Sequence, residues 1–276
     1  MKKTIFLIVL FYTISFGQGW NNTVTTTISE SNLDKMDLFT NKDGNHLLVK
    51  RSNGNIIYYN FNSSGTVDGS KTETLVTNGD FPNIVGSNDK LFALYKDGNY
   101  IKGKYSTNGG DSWTSLPYNN SIGSNDCNGI DAVYDDAGVH VVWATKDSSP
   151  EYETYYKKLR TDNYNWVEGK NVTDVTNYQY GSYPTVAVST DRIHVSFNTG
   201  NGSIPGNQGD AKSRDKYNST WQTPQTISSG SGNLSSAEKI QVAGSTLFDF
   251  YFLFVEGMGQ YHNDLYVKTR GTSGTT

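Results

Sequence analysis

An all-β fold of repeated four-stranded antiparallel blades, a β-propeller, is what this sequence predicts, and three observations predict it. A short apolar strand, a polar turn and a second apolar strand recur from Met36, Pro82, Gly129, Pro184 and Ala237, at spacings of 46, 47, 55 and 53 residues. Strand-bearing repeats of this period mark radial arrays, because one such unit cannot bury its apolar faces alone. Apolar residues alternate, or run in short blocks, between clusters of Gly, Asn, Asp and Ser, and no stretch after the leader carries a helical period. Tryptophan returns late in several copies, ahead of a polar stretch.

The elements follow in order. First strands are expected at Asp37–Thr40, Pro82–Gly86, Ile130–Tyr134, Pro184–Val188 and Lys239–Ala243. Second strands follow at His46–Lys50, Leu91–Tyr95, Val139–Trp143, Ile193–Phe197 and Leu247–Phe254, and third strands at Ile56–Phe61, Tyr100–Tyr105, Thr154–Leu159, Ala211–Asp215 and Asp264–Thr269. Trp113, Trp166 and Trp221 open the Thr/Ser/Asn-rich stretches that supply fourth strands. The fifth copy shows no fourth strand of its own. Trp20–Ser29, which begins with the same tryptophan signal, is expected to fill that place and close a ring of five blades without free edges. The alternative is a fragment of a six- or seven-bladed propeller.

Residues 1–17 have a basic start, an apolar core and a small-x-small end at Ser15-Phe16-Gly17, the pattern of a secretory signal peptide. Secretion from a bacterium, periplasmic or extracellular, is therefore expected, with residues 18–276 forming one propeller domain, read as a monomer with no membrane span. Removing Lys2 and Lys3 with the leader leaves 21 basic against 27 acidic residues, a formal charge of −6. That balance argues against nucleic acid, whose binding rests on neutralising phosphates. Cys127 is the only cysteine, so neither an intrachain disulfide nor a Cys-based metal site can form. No phosphate-cradling glycine loop, nucleophile elbow or calcium loop is present, and no cofactor or metal is expected.

Ser106–Trp113 reads STNGGDSW and resembles the Asp-box of bacterial neuraminidase repeats, Ser-x-Asp-x-Gly-x-Thr-Trp, with Asn108 and Ser112 substituted. Weaker echoes stand at Thr161–Trp166 and Ser213–Trp221. The resemblance implies a sialidase-like propeller, in which the box braces a hairpin away from the ligand and takes no part in catalysis. It also implies an Arg-Ile-Pro motif and three substrate-gripping arginines. The motif is missing, and several of Arg51, Arg160, Arg192, Arg214 and Arg270 fall on outer strands or on turns opposite the ligand face.

Candidate site residues are found by asking which polar side chains break the repeat. His46, His140 and His194 occupy one slot in three copies, so they are read as structural; His262 lies outside that register. Asp43, Asp135 and Asp136 sit in turns between first and second strands and read as turn residues. Glu151, Glu153, Asp210, Glu256 and Asp264 fall instead in the connections between second and third strands, which in propellers form the ligand face. Those connections are long in the last three copies, at Lys146–Glu153, Thr199–Asp210 and Glu256–Asn263, and long loops tend to carry function. The blade link Tyr178–Tyr183 adds aromatic rings to the same face. The reading is a binding module for glycan or a cell-surface partner. Tyr152, Tyr180, Tyr183 and His262 would stack or orient the ligand, while Glu151, Asp210, Glu256 and Asp264 would accept hydroxyl hydrogen bonds. Two further readings are a divergent sialidase-like glycoside hydrolase, with Glu151 or Glu256 as acid/base, and a protein-interaction scaffold without a small ligand.

Overall fold

In the computed structural model the described residues are 7–9, 24–26, 33–62, 64–117, 122–123, 127–146, 152–173, 182–189, 192–200, 209–227, 241–244, 250–257, 263–271 and 274–275. They form five consecutive antiparallel sheets and one two-stranded ribbon. Each sheet keeps chain order from its first strand to its fourth. The first contains Leu33–Asn41, Gly44–Arg51, Ile56–Phe61 and Glu73–Val76. The second contains Gly79–Gly86, Leu91–Asp97 and Tyr100–Ser106, with a fourth position split into Thr114–Ser115 and Ile122–Gly123. The third contains Gly129–Asp135, Gly138–Thr145, Glu153–Leu159 and Trp166–Asn171. In the fourth, Ser182–Val188, Arg192–Gly200 and Gly209–Tyr217 are followed by the pieces Thr220–Trp221 and Gln225–Thr226. The fifth contains Gln241–Gly244, Phe250–Gly257, Asn263–Gly271 and Gly274–Thr275.

One expectation is corrected here. Val24–Thr26 pairs with Leu7–Val9, and Gly274–Thr275 pairs with Asn263–Gly271 as the fourth strand of the last sheet. Of the expected segment Trp20–Ser29, the described residues Val24–Thr26 therefore do not fill that place. The register Gly271↔Gly274 leaves two residues between the partners, and so short a connection closes at far lower entropic cost than a strand brought from the other end of the chain.

The chain gathers into two compact units, one of Met1–Gly98 with Gly103–Leu116, the other of Asn99–Lys102 with Pro117–Thr276. In the first four sheets the second strands are covered on both faces over runs of five or more buried residues, and all eight residues of Gly138–Thr145 are buried. In the first unit Leu48, Ile56, Tyr58 and Leu75 of the first sheet pack on Ile84, Ala93 and Tyr95 of the second, with Phe39 and Trp113 against them. In the second unit Val142, Tyr156 and Val172 of the third sheet pack on Val186, Val195 and Phe197 of the fourth, with Val133 and Trp221 against them. The two joints match position for position. Trp113 meets Tyr58 edge-on at 4.9 Å, and Trp221 meets Tyr156 edge-on at 5.1 Å.

A carboxylate locks each joint. Asp37 Oδ2 accepts the Ile84 N–H at 2.6 Å, and Asp131 Oδ2 accepts the Val186 N–H at 2.8 Å and the Thr185 hydroxyl at 2.7 Å. First strands meet across the joint, so these backbone donors have no ladder partner on that side and the side chain satisfies them. Asp131→Ala is expected to cost about 2 kcal/mol, since it removes a charge-assisted bond and orphans a buried N–H. Urea unfolding checks this; an unchanged midpoint would remove the carboxylate from the joint's stability.

The repeated histidines behave as structural residues, as the sequence suggested. His46 is fully buried, with Nδ1 2.7 Å from the Tyr58 hydroxyl and 3.1 Å from Asn60 Nδ2, and Nε2 2.9 Å from Asn41 Oδ1. Asn41 Oδ1 can only accept, so Nε2 carries the proton and Nδ1 accepts. Burial, reinforced by Lys71, pushes the imidazole down to about 4. His140 repeats the arrangement with Tyr156 at 2.8 Å and adds Asp135 Oδ1 at 3.0 Å, whereas His194 faces the buried Asp215. Burial acts to raise the Asp135 carboxyl, but the His140 contact and two backbone N–H donors hold it below its ordinary value.

Candidate functional site

The connection between second and third strands and the start of the first strand share one end of each sheet, and there the third sheet builds a polar and aromatic cluster. Its parts come from strand ends, where side chains are positioned by the ladder. Trp143 and Tyr155 are cross-strand partners with rings stacked at 5.6 Å and 19°. Glu153 Oε2 accepts the Tyr155 hydroxyl at 2.6 Å and Asn171 Nδ2 at 2.8 Å. Asn171 is in turn fixed by the Thr173 hydroxyl, 2.8 Å from its Oδ1. Among the described residues only Oε2 of Glu153 is engaged. The Trp143 indole N–H is buried, with no hydrogen-bond partner among the described residues.

Tyr152 adjoins this cluster in sequence and is half-buried, with Lys146 Nζ 4.5 Å from its ring centroid. Tyr183 opens the fourth sheet; its N–H reaches Asn128 Oδ1 at 3.5 Å, and Asn128 N in turn donates to Ala144 O at 3.1 Å. Two of the expected aromatics, Tyr152 and Tyr183, thus stand at the end of the third and fourth sheets where second strands pass to third strands. Glu151, Tyr180 and His262 lie outside the described residues.

The expected loop acids are corrected. Asp210 is a strand residue paired with Thr199, and Glu256 is a strand residue paired with Asp264, which lies in the third strand as the expected segment Asp264–Thr269 has it. The hairpins run further than their polar ends suggest, because ladder hydrogen bonds use the backbone and tolerate Gly, Asp and Glu at a strand terminus. Sequence reasoning named Glu153 only as one loop acid among several and missed Trp143, Tyr155 and Asn171. The available signal was the alternation in Glu153-Thr154-Tyr155, which puts residues 153 and 155 on one face.

A cleft of about 470 Å³ opens at the opposite end of the third sheet, lined by Asp136, Lys158, Arg160, Asp162 and Glu168 among others. Arg160 forks onto Asp162, with Nε 3.0 Å from Oδ1, and Glu168 is bonded by Lys216. Most of its charge is neutralised in pairs at the surface, so no convergent field is left for a ligand. Ser106–Trp113 is likewise a brace. The Ser106 hydroxyl accepts the Gly110 N–H at 2.9 Å, and Asn108 Oδ1 accepts the Ser112 N–H at 3.1 Å, which together deliver Trp113 to Tyr58. Among the described residues no cluster of His, Cys, Asp and Glu could hold a metal ion, and no helix is long and apolar enough to cross a membrane.

No family model and no curated protein matches the chain. Solved structures do. A fungal lectin from Aleuria aurantia, described as a six-bladed β-propeller with a novel fucose recognition mode, is similar with a TM-score of 0.58 at 14% identity, over 89% of this chain and 76% of that one. A protein of unknown function from Dyadobacter fermentans gives 0.59 at 11% identity, over 87% and 78%. SapL1, a lectin in complex with α-methyl fucoside, gives 0.54 at 9% identity, over 88% and 78%. At such identities the likeness is one of architecture: the chain has a β-propeller fold.

Proposed function

We propose that the protein is a secreted glycan-binding module, a five-bladed propeller of the neuraminidase-repeat type that recognises saccharide at the ligand end of its third and fourth sheets. The observation that carries this reading is Glu153, whose carboxylate is oriented through one oxygen by Tyr155 and Asn171 beside stacked and capped aromatic rings. Sugars ask for that combination: aromatic faces for C–H surfaces and oriented acceptors for hydroxyls. The fucose recognition of the Aleuria aurantia lectin and the fucoside complex of SapL1 support it from proteins of similar fold. Tyr180 and His262, named from the sequence alone, would contact the ligand together with Asp210, Glu256 and Asp264, and a cell-surface glycoprotein is the natural carrier of the ligand.

A glycan array on residues 18–276, including α-methyl fucoside, tests the reading. Binding is expected without turnover of fluorogenic glycosides, and Glu153→Ala is expected to weaken it at least tenfold, the effect of about 1.4 kcal/mol. An array without signal, or a Glu153→Ala variant that binds like the parent, would sink the proposal. Release of aglycone from the glycosides would move the protein to the hydrolases.

A further inference from the structure

We infer that Phe81 and Tyr183 are a repeated pair of saccharide-stacking positions, one in each unit, and so deepen the glycan reading on which this rests. The two residues stand in matching sequence, Gly79-Asp80-Phe81-Pro82-Asn83-Ile84 and Gly181-Ser182-Tyr183-Pro184-Thr185-Val186. Each has a left-handed backbone, with φ of 50° at Phe81 and 49° at Tyr183. A bulky aromatic residue rarely adopts this conformation, and a following proline normally drives its neighbour to extended geometry, so the position is disfavoured twice over. Each lies within a one-residue bulge, between Asp80 and Asn83 and between Ser182 and Thr185. Bulges of this kind re-aim a side chain at the end of a strand.

The surroundings over-determine the strain. Three residues after each aromatic, Ile84 and Val186 are bonded to Asp37 and Asp131, which fixes the strand just inside the bulge. The prolines are buried, whereas Phe81 and Tyr183 are only half-buried. Polar groups from the preceding sheet stand beside each. Lys35 Nζ lies 3.4 Å from the Phe81 ring centroid and 2.6 Å from Asp80 Oδ1, which also accepts the Phe81 N–H at 2.7 Å. Asn128 meets Tyr183 from the third sheet. Strain kept twice at one position, where glycine would remove it, points to a use for the ring. A partly exposed ring beside amide, ammonium and carboxylate groups at the ligand end suits one pyranoside, with its C–H face on the ring and its hydroxyls on the neighbours.

The test compares the parent with Phe81→Gly, Tyr183→Gly, the double variant, and Phe81→Leu with Tyr183→Leu as a bulk-preserving pair, on the same glycan array and in urea unfolding. Glycine accommodates the left-handed backbone, so the glycine variants are expected to unfold at the parent's urea concentration or above. Array signal is expected to fall in each single variant, which keeps the other unit's position, and to vanish in the double and in the leucine pair. Leucine variants that bind like the parent would overturn the inference, as would double-glycine binding that persists while Glu153→Ala still abolishes it; that second outcome leaves the glycan reading standing. A parent without array signal would overturn both.

Discussion

Gly110→Ala is expected to destabilise the first unit by about 3 kcal/mol or more, while Gly109→Ala costs about 1 kcal/mol. Both glycines have a left-handed backbone, with φ of 90° at Gly110 and 67° at Gly109, so backbone strain is common to the two. What differs is space. A Cβ on Gly110 would sit 2.0 Å from the Tyr58 hydroxyl oxygen and 2.5 Å from Cζ, whereas one on Gly109 meets nothing nearer than 4.0 Å. Tyr58 cannot withdraw, because it is fully buried, hydrogen-bonded to His46 at 2.7 Å and packed edge-on against Trp113. The clash must therefore open the turn that carries Trp113. Equilibrium urea unfolding of the two variants side by side reads the difference; equal midpoints would show that the turn yields without disturbing the joint.

Acidification gives the second large effect. The His46 imidazole moves from an ordinary 6.5 to about 4 on folding, so between those values the unfolded chain binds a proton that the native one refuses. Stability contributed by neutral His46 is complete above pH 6.5 and drains away as the pH falls toward 4, on the order of 3 kcal/mol in total. Protonation puts a hydrogen on Nδ1, where Asn60 Nδ2 already donates, and breaks that bond. Burial acts to raise the Asp80, Asp135 and Glu168 carboxyls but their partners hold them low, so their contributions drain as the pH falls below the ordinary carboxylate values, and the upper part of the His46 window stands clear of them. His46→Gln should be less stable than the parent at neutral pH but should lose the slope between pH 6.5 and 4. Denaturant melts at half-unit pH steps decide it: a slope retained in His46→Gln would assign it to another group.

Strand by strand, most of the fold could be read from residues alone, since period-two patterns and Gly/Asn/Asp turns are local and the second strands carry dense apolar blocks. The failures were also local in cause. Gly274–Thr275 is too short and too polar to look like a strand, so the last sheet seemed open and a distant segment was recruited to it. Asp210 and Glu256 looked like loop residues because acidic and glycine-rich hairpin ends resemble turns in composition while their backbone still pairs. The candidate site was half legible. Tyr152 and Tyr183 stood out as aromatics that broke the repeat, but Glu153, Tyr155, Trp143 and Asn171 are assembled from three strands, and only the register brings them together. The doubled joint escaped because attention to a period near 50 hides one near 100. Yet the His-to-Tyr pairing of the first and third copies and the aromatic-Pro step of the second and fourth were in view.

The carboxylate lock has a practical consequence. The Ile84 and Val186 amide protons are donated to a side chain rather than to a neighbouring strand, so their exchange with deuterium reports whether a joint is shut, whatever the fraying of the ladder around them. Each unit thus carries one built-in clock at a corresponding position. Timing the two under native conditions measures the opening free energy of each joint separately, and a bound ligand that slows one clock and not the other reveals which sheets it grips.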